Sequence, residues 1–271
     1  MQRDIEIMGI VNLTDNSYFA SSRCLAEDGK TNIDKTLERT ASLIQEGAHI
    51  IDIGACSTRP GSDGVGEEEE WRRLEPALKT IKAAFPDIKL SIDTYWASVV
   101  KNSYDLIGPF MVNDVTAGER DEAMLPLVGE LGLSYVAMHM RGTPKTMQSL
   151  TDYPEGVVKA VYDYFKDFGR KAEKYGIKDW IIDPGFGFAK TLDQNYELMR
   201  SLDTFTEFGK RILVGVSRKS MIFRLFGIEP EDSLPATQAL HFAALQKGAS
   251  ILRVHDAAET ARTIEIFKRL K

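Results

Sequence analysis

Trp180-Ile181-Ile182-Asp183-Pro184-Gly185-Phe186-Gly187-Phe188 is a short apolar run that stops at a carboxylate and breaks into a glycine-rich turn. An unbroken apolar run leaves no face for water, which is how a strand covered on both sides reads in a parallel sheet. The pattern recurs along the chain. Residues 5–11 end at Asn12, 49–51 run into Asp52, 88–92 into Asp93, and 110–112 into Asn113-Asp114. Residues 135–138 end at His139, 212–216 lead into Ser217-Arg218-Lys219-Ser220, and 251–254 carry Arg253 and stop at His255.

Helical patterns fill the gaps. Ile33, Leu37, Ala41 and Ile44 recur at helical spacing before Gly47, and Trp71, Leu74, Leu78, Ile81 and Phe85 mark a long helix closed by Pro86. Further helices are expected over 96–104, 122–131, 154–175, 192–202, 235–247 and 256–270. Strict strand–helix alternation selects a parallel α/β architecture. An open doubly wound sheet gathers its ligand groups at one switch point, whereas here a polar group follows nearly every strand. The expectation is therefore a TIM (β/α)8 barrel, one domain over residues 1–271, with its site at the C-terminal ends of the strands.

Composition narrows the function. The 271 residues are 43% hydrophobic, enough for an ordinary core, and the net charge of −6 argues against nucleic acid or an anionic membrane as partner. No apolar run approaches the ~20 residues of a membrane span, and Met1-Gln2-Arg3-Asp4 opens no signal peptide. Cys24 and Cys56 have neither metal-ligand nor disulfide-rich spacing, which points to a reducing cytoplasm. Four scattered histidines form no zinc pattern.

The strand ends carry the chemistry. Lys219 and Ser220 sit where the seventh strand yields to a helix that Ser217 is expected to cap, leaving backbone N–H groups for an anion. Arg253 and His255 are expected to join Lys219 around that anion, because the loops after strands seven and eight often bind phosphate in such barrels. In Ser57-Thr58-Arg59-Pro60-Gly61, Pro60-Gly61 is a turn signal, Arg59 suits bidentate phosphate contact and Thr58 offers a hydroxyl. Arg218 and Arg141 are expected to add positive charge at the same face. The acidic run at 67–70 reads as a helix start, where negative charge is favoured, and not as a metal site.

Asp93, Asn113 and Asp183 leave three readings open: the edge of a flat aminopyrimidinone, ligation of magnesium, or capping of the next helix. Glycines after Asp183 allow close approach of a planar ligand, on which Phe188 can stack. His139 reads as a hydrogen-bonded structural group ahead of an acid–base one, and Cys56 has no nearby histidine to activate it.

The ordered set from Met8-Gly9-Ile10-Val11-Asn12 to Arg253-Val254-His255-Asp256 resembles the dihydropteroate synthases. It includes Asp52-Ile53-Gly54, Ser57-Thr58-Arg59-Pro60-Gly61, Ser91-Ile92-Asp93, Asn113-Asp114-Val115, Met138-His139-Met140, Asp183-Pro184-Gly185-Phe186-Gly187 and Ser217-Arg218-Lys219-Ser220. The resemblance implies condensation of a dihydropterin hydroxymethyl pyrophosphate with 4-aminobenzoate, in a homodimer of a family that is a sulfonamide target. Dissociative substitution is expected because the electron-rich pterin can delocalise a methylene cation and an aromatic amine needs little general-base help. By the same resemblance Asp93, Asn113 and Asp183 read the pterin, with Met138, Gly215 and Lys219 lining its pocket. Arg59, Arg253 and His255 resemble a pyrophosphate clamp, and Asn12 the contact to a magnesium cofactor. Thr58, Pro60, Phe188, Lys219 and Ser220 are similar to the aminobenzoate side, and Asp93, Lys219, Arg253 and His255 to the catalytic set. Asp52 and His139 are the strand ends expected to be structural.

Two places depart from the family pattern. Residues 12–22 lack its proline and glycine pair, and Cys56 stands where a glutamate is frequent. The rival readings are a methyltetrahydrofolate-binding methyltransferase barrel, a Schiff-base aldolase using Lys219, and a pterin-binding protein without catalysis.

Overall fold

The computed structural model describes residues 4–14, 24–26, 29–57 and 64–270. Eight strands pair in chain order and close into a barrel: β1 (Glu6–Asn12), β2 (Ile50–Gly54), β3 (Lys89–Asp93), β4 (Met111–Asp114), β5 (Ser134–Met138), β6 (Trp180–Asp183), β7 (Arg211–Val214) and β8 (Ile251–Val254). All neighbours are parallel, and β8 returns to β1 with Met8 opposite Arg253. Helices α1 (Ile33–Gln45), α2 (Glu67–Ala84), α3 (Ala97–Ile107), α4 (Met124–Leu131), α5 (Val157–Lys174), α6 (Leu192–Arg200), α7 (Ser220–Phe226), α8 (Leu234–Gln246) and α9 (Ala257–Arg269) alternate with them. No helix of the described residues is long and apolar enough to cross a membrane.

The barrel's two faces follow from strand periodicity. Successive side chains point to opposite faces, so every second residue enters the barrel. Met8, Ile50, Met111, Val136, Ile181, Leu213 and Ile251 form one apolar layer inside it. Two residues further along the same strands, the inward side chains include Asp52, Asn113, Met138, Asp183 and Arg253. The intervening residues, among them Ile51, Val112, Ala137, Ile182 and Leu252, face outward into the shell between strands and helices. The apolar layer thus serves as a floor on which a polar layer rests.

Local chemistry agrees with these boundaries. Asn32 caps α1 by accepting from the Lys35 N–H, and Thr191 with Gln194 forms a capping box on α6, devices each worth ~1 kcal/mol. The acidic run occupies the first turn of α2, as expected from the helix dipole. Glu70 alone turns inward, where burial pushes its carboxyl up to about 8 against the pull of Thr94. The short α7 follows β7 where Lys219 and Ser220 are expected to open a helix, and α8 comes after it.

Gly129 in α4 packs so closely that an added Cβ would lie 1.8 Å from the Tyr175 carbonyl oxygen. Gly129→Ala is expected to lower stability by about 1–3 kcal/mol through this overpacking. A fall in Tm measures it; an unchanged Tm would mean that α4 separates freely from the end of α5.

Candidate active site

The strand ends open into one cavity of about 1040 Å³, counted out to its mouth. Asn12, Asp93, Asn113, Met138, Asp183, Phe188, Gly215, Lys219, Ser220, Arg253 and His255 all line it. Thr58, Arg59 and Pro60 lie outside the described residues, as do residues 15–22 of the atypical first loop. Met147, outside every stretch quoted above, also lines the cavity, as do Thr14, Ser57 and Phe186, which lie in those stretches without a role assigned from sequence.

Asp52 organises the floor. It is 0% exposed and receives bonds from three other strands. Arg253 Nε donates to its Oδ2 at 2.6 Å, Ser91 Oγ to Oδ1 at 2.6 Å, and Asn113 Nδ2 to both oxygens at 3.3 Å. Arg253 also donates through Nη2 to Asp93 Oδ2 at 2.8 Å, so one guanidinium joins two carboxylates across the barrel. Burial pushes the Asp93 carboxyl up; Arg253 opposes this, while Asp52, Asp114 and Asp183 push the same way. Asp114 itself faces outward, where it accepts from the Tyr135 hydroxyl and from Thr116 and Gly118. Asp52 is thus a structural hub: it fixes where Arg253 and Asn113 point.

On the opposite wall, Asp183 Oδ1 accepts from the Gly185 N–H at 2.9 Å. Burial raises the Asp183 pKa, opposed first by Lys219. Lys219 Nζ donates to the Phe186 carbonyl at 2.7 Å and sits 4.8 Å from the centre of the Phe188 ring. Burial draws this lysine down to about 8, so it remains a cation at neutral pH. Gly215 leaves room beside it, since an added Cβ there would stand 3.9 Å from Lys219 Nζ. The wall therefore offers an acceptor pair and an aromatic face from one turn, with a cation reaching them from the start of α7.

Three local expectations are corrected. Ser217 does not cap α7, whose N-cap is Lys219; its hydroxyl accepts from the His255 N–H at 3.2 Å instead. The reason is Arg218, whose φ of 54° turns the chain between the two residues. Arg218 adds no free charge to the mouth either. It is buried, donates bidentately to Asp256 at 2.9 and 2.7 Å, and reaches the Pro230 and Glu231 carbonyls. Arg141 stacks on Tyr153 at 4.9 Å and donates to the Asp152 carbonyl, away from the cavity lining. His255 is no cation in this state: burial, with Arg253, Arg39, Arg218 and Lys219 nearby, draws it down to about 3. It enters the cavity as a neutral imidazole.

Cys56 lines the cavity with its Sγ 3.2 Å from the Tyr95 hydroxyl, and burial pushes its thiol up, away from nucleophilic thiolate. His139 is held by its neighbours, with Tyr164 edge-on at 5.0 Å and the Lys190 ammonium on Nδ1 at 3.0 Å. Lys190 was missed from sequence, where it reads as a solvated lysine. One cue was available: it directly precedes the Thr191 cap of α6, and a helix start disfavours a cation unless acceptors surround it.

Residues 8–255 match the family described as pterin binding enzyme. The chain is 36% identical over 265 residues to the dihydropteroate synthase of Haemophilus influenzae, covering 97% of this chain and 93% of that protein. It is also 36% identical over 271 residues to the folic acid synthesis protein fol1 of Schizosaccharomyces pombe; there the match covers 97% of this chain but only 36% of the longer protein. The crystal structure of the Yersinia pestis dihydropteroate synthase with a sulfonamide drug superposes with a TM-score of 0.91 at 33% identity, covering 99% of this chain and 94% of that one. With the barrel closed, the polar layer at its mouth and these likenesses across nearly the whole length, the chain belongs to the pterin-binding enzyme family, among the dihydropteroate synthases.

Proposed function

We propose that the cavity joins a 7,8-dihydropterin bearing a hydroxymethyl pyrophosphate to 4-aminobenzoate, giving 7,8-dihydropteroate and pyrophosphate for folate synthesis. The observation that carries this reading is the meeting of Asp93, Asn113 and Asp183 on one floor, beside Lys219 and Arg253. A carboxylate accepts from the N–H groups of a flat aminopyrimidinone edge, and a carboxamide both donates and accepts. Asn113 keeps one donor on Asp52, which orients its carbonyl oxygen. Phe188 and Lys219 border the same space, on the side assigned to the arylamine.

The reaction breaks the carbon–oxygen bond to pyrophosphate, and its electron pair leaves with the phosphate oxygen. The electron-rich pterin delocalises the resulting methylene cation, and Asp93 stabilises it by charge. The 4-aminobenzoate nitrogen then supplies the pair for the new carbon–nitrogen bond and gives up a proton. Arg253 meets the departing pyrophosphate through the Nη1 N–H groups, since Nε and Nη2 are committed to carboxylates. His255 contributes as a neutral hydrogen-bond donor.

Magnesium fits as the accompanying ion. No three His, Cys, Asp or Glu side chains of the described residues form a cluster that would hold a metal alone. Asn12 supplies a hard carboxamide oxygen at the cavity, which suits an ion that keeps waters and takes its other ligands from phosphate. Bound there by Asn12 and substrate, magnesium would neutralise charge on the leaving group. The two cysteines, both buried and not joined in a disulfide, suit the cytoplasm, and a homodimer through helices of the second half completes the reading.

A coupled assay with both substrates tests it. Release of pyrophosphate that needs 4-aminobenzoate and is stimulated by magnesium is the expected result. Saturable pterin binding without any turnover would sink the synthase reading.

A further inference from the structure

We propose that Lys190 is a positioning residue for this reaction: its ammonium fixes the turn between β6 and α6 in the shape that presents Asp183, the Phe186 carbonyl and the Phe188 ring to the substrates, and holds a cation behind Asp183. The inference rests on the reading of the site given above.

Lys190 is 4% exposed, and its head group is fully engaged. Nζ donates to the Gly185 and Phe188 carbonyls at 2.9 Å each, to His139 Nδ1 at 3.0 Å, and lies 3.4 Å from the His139 carbonyl. An ammonium has three donors, which these acceptors saturate. Gly185 and Phe188 belong to the turn itself, whereas His139 follows β5. One charge therefore staples the turn to the neighbouring strand.

The staple closes a very tight contact. Gly185 has a φ of 71°, and an added Cβ would lie 2.0 Å from the His139 carbonyl oxygen. No side chain separates the turn from the end of β5. Within the turn the Phe188 N–H donates to the Gly185 carbonyl at 3.1 Å and the Gly187 N–H to Asn195 Oδ1 at 2.7 Å, and the ammonium joins the Gly185 and Phe188 carbonyls to His139. What the turn presents depends on that shape. Its Gly185 N–H holds Asp183, its Phe186 carbonyl takes Lys219, and its Phe188 ring lies beneath Lys219.

A lysine hydrogen-bonded only to carbonyls and an imidazole is an expensive way to fill a core, because none of these acceptors is a carboxylate. The charges facing it account for the choice. Burial draws Lys190 down to about 7; Asp183 from β6 opposes this by favouring the ammonium form, and Lys219 from the start of α7 adds to it. His139 stays neutral through burial and through Lys190 and Arg141, so that Nδ1 can accept. In return Lys190 favours the ionised form of Asp183, the form that accepts from two N–H groups of a pterin.

Lys190→Met and Lys190→Gln test this, with 6-hydroxymethylpterin as the calorimetric probe from pH 5 to 9 and with steady-state kinetics on both substrates. The glutamine keeps an N–H donor for the carbonyls without the charge, so it covers the case in which the methionine variant does not fold. In a folded variant the probe should bind about tenfold more weakly at pH 7, and the acid limb of binding should move up by about one pH unit as Asp183 takes its proton more easily. The KM for 4-aminobenzoate should rise by more than kcat falls, since Phe188 is displaced. A lowered Tm with affinity and acid limb unchanged would overturn the proposal by making Lys190 merely structural. Failure of the wild-type chain to bind the pterin would overturn the function itself.

Discussion

Arg253→Ala is expected to cost about 3–5 kcal/mol of stability and to abolish measurable turnover. The guanidinium joins Asp52 and Asp93 at 2.6 and 2.8 Å, and its side chain is only 21% exposed. Removing it leaves two carboxylates facing each other in the barrel, and a buried charge stripped of its partner is costly. One of them relieves the repulsion by taking a proton. Burial already pushes the Asp93 carboxyl up in the wild type, with Arg253 opposing it, so the variant should gain stability more steeply than the wild-type chain as pH falls from 8 to 6. Chemical denaturation at several pH values measures the two slopes. A wild-type midpoint with wild-type turnover would show that Asp52 and Asp93 need no bridging cation.

Asp183→Ala should act on ligand and leave the barrel standing. Within the protein its carboxylate bonds to Gly185 N–H, so the remaining acceptor capacity faces the cavity. Hydrogen bonds to a charged group contribute about 1.5–3 kcal/mol, which predicts a loss of pterin affinity of roughly 10- to 150-fold. Calorimetry on the folded variant reads the loss directly. An unchanged Kd would remove Asp183 from the pterin floor.

The barrel was legible because its signal is local. Runs such as 180–182 are apolar on both faces, and alternation with helices leaves few architectures. Asp93, Asn113 and Asp183 were legible for the same reason, as each ends such a run. What escaped were relations between distant strands. Arg253 and Asp52 are 201 residues apart, and nothing near either announces the bond. Arg253 was read as free to clamp an anion, whereas much of its charge is already answered by two carboxylates. Arg218 was misread likewise, since Asp256 lies 38 residues downstream and only the turn at Arg218 brings them together. Lys190 escaped because a lone lysine before a cap looks solvated until the carbonyls around it are known.

Asp52 carries a consequence for how such a cavity can change over generations. Its single carboxylate answers to Ser91, Asn113 and Arg253 at once, so exchanging it takes a partner from all three, whereas exchanging Ser91 leaves the other two bonds in place. Escape by one-step substitution is therefore closed at the hub. Inherited variation has to collect in side chains that answer to fewer neighbours, while the hub passes unchanged from ancestor to descendant.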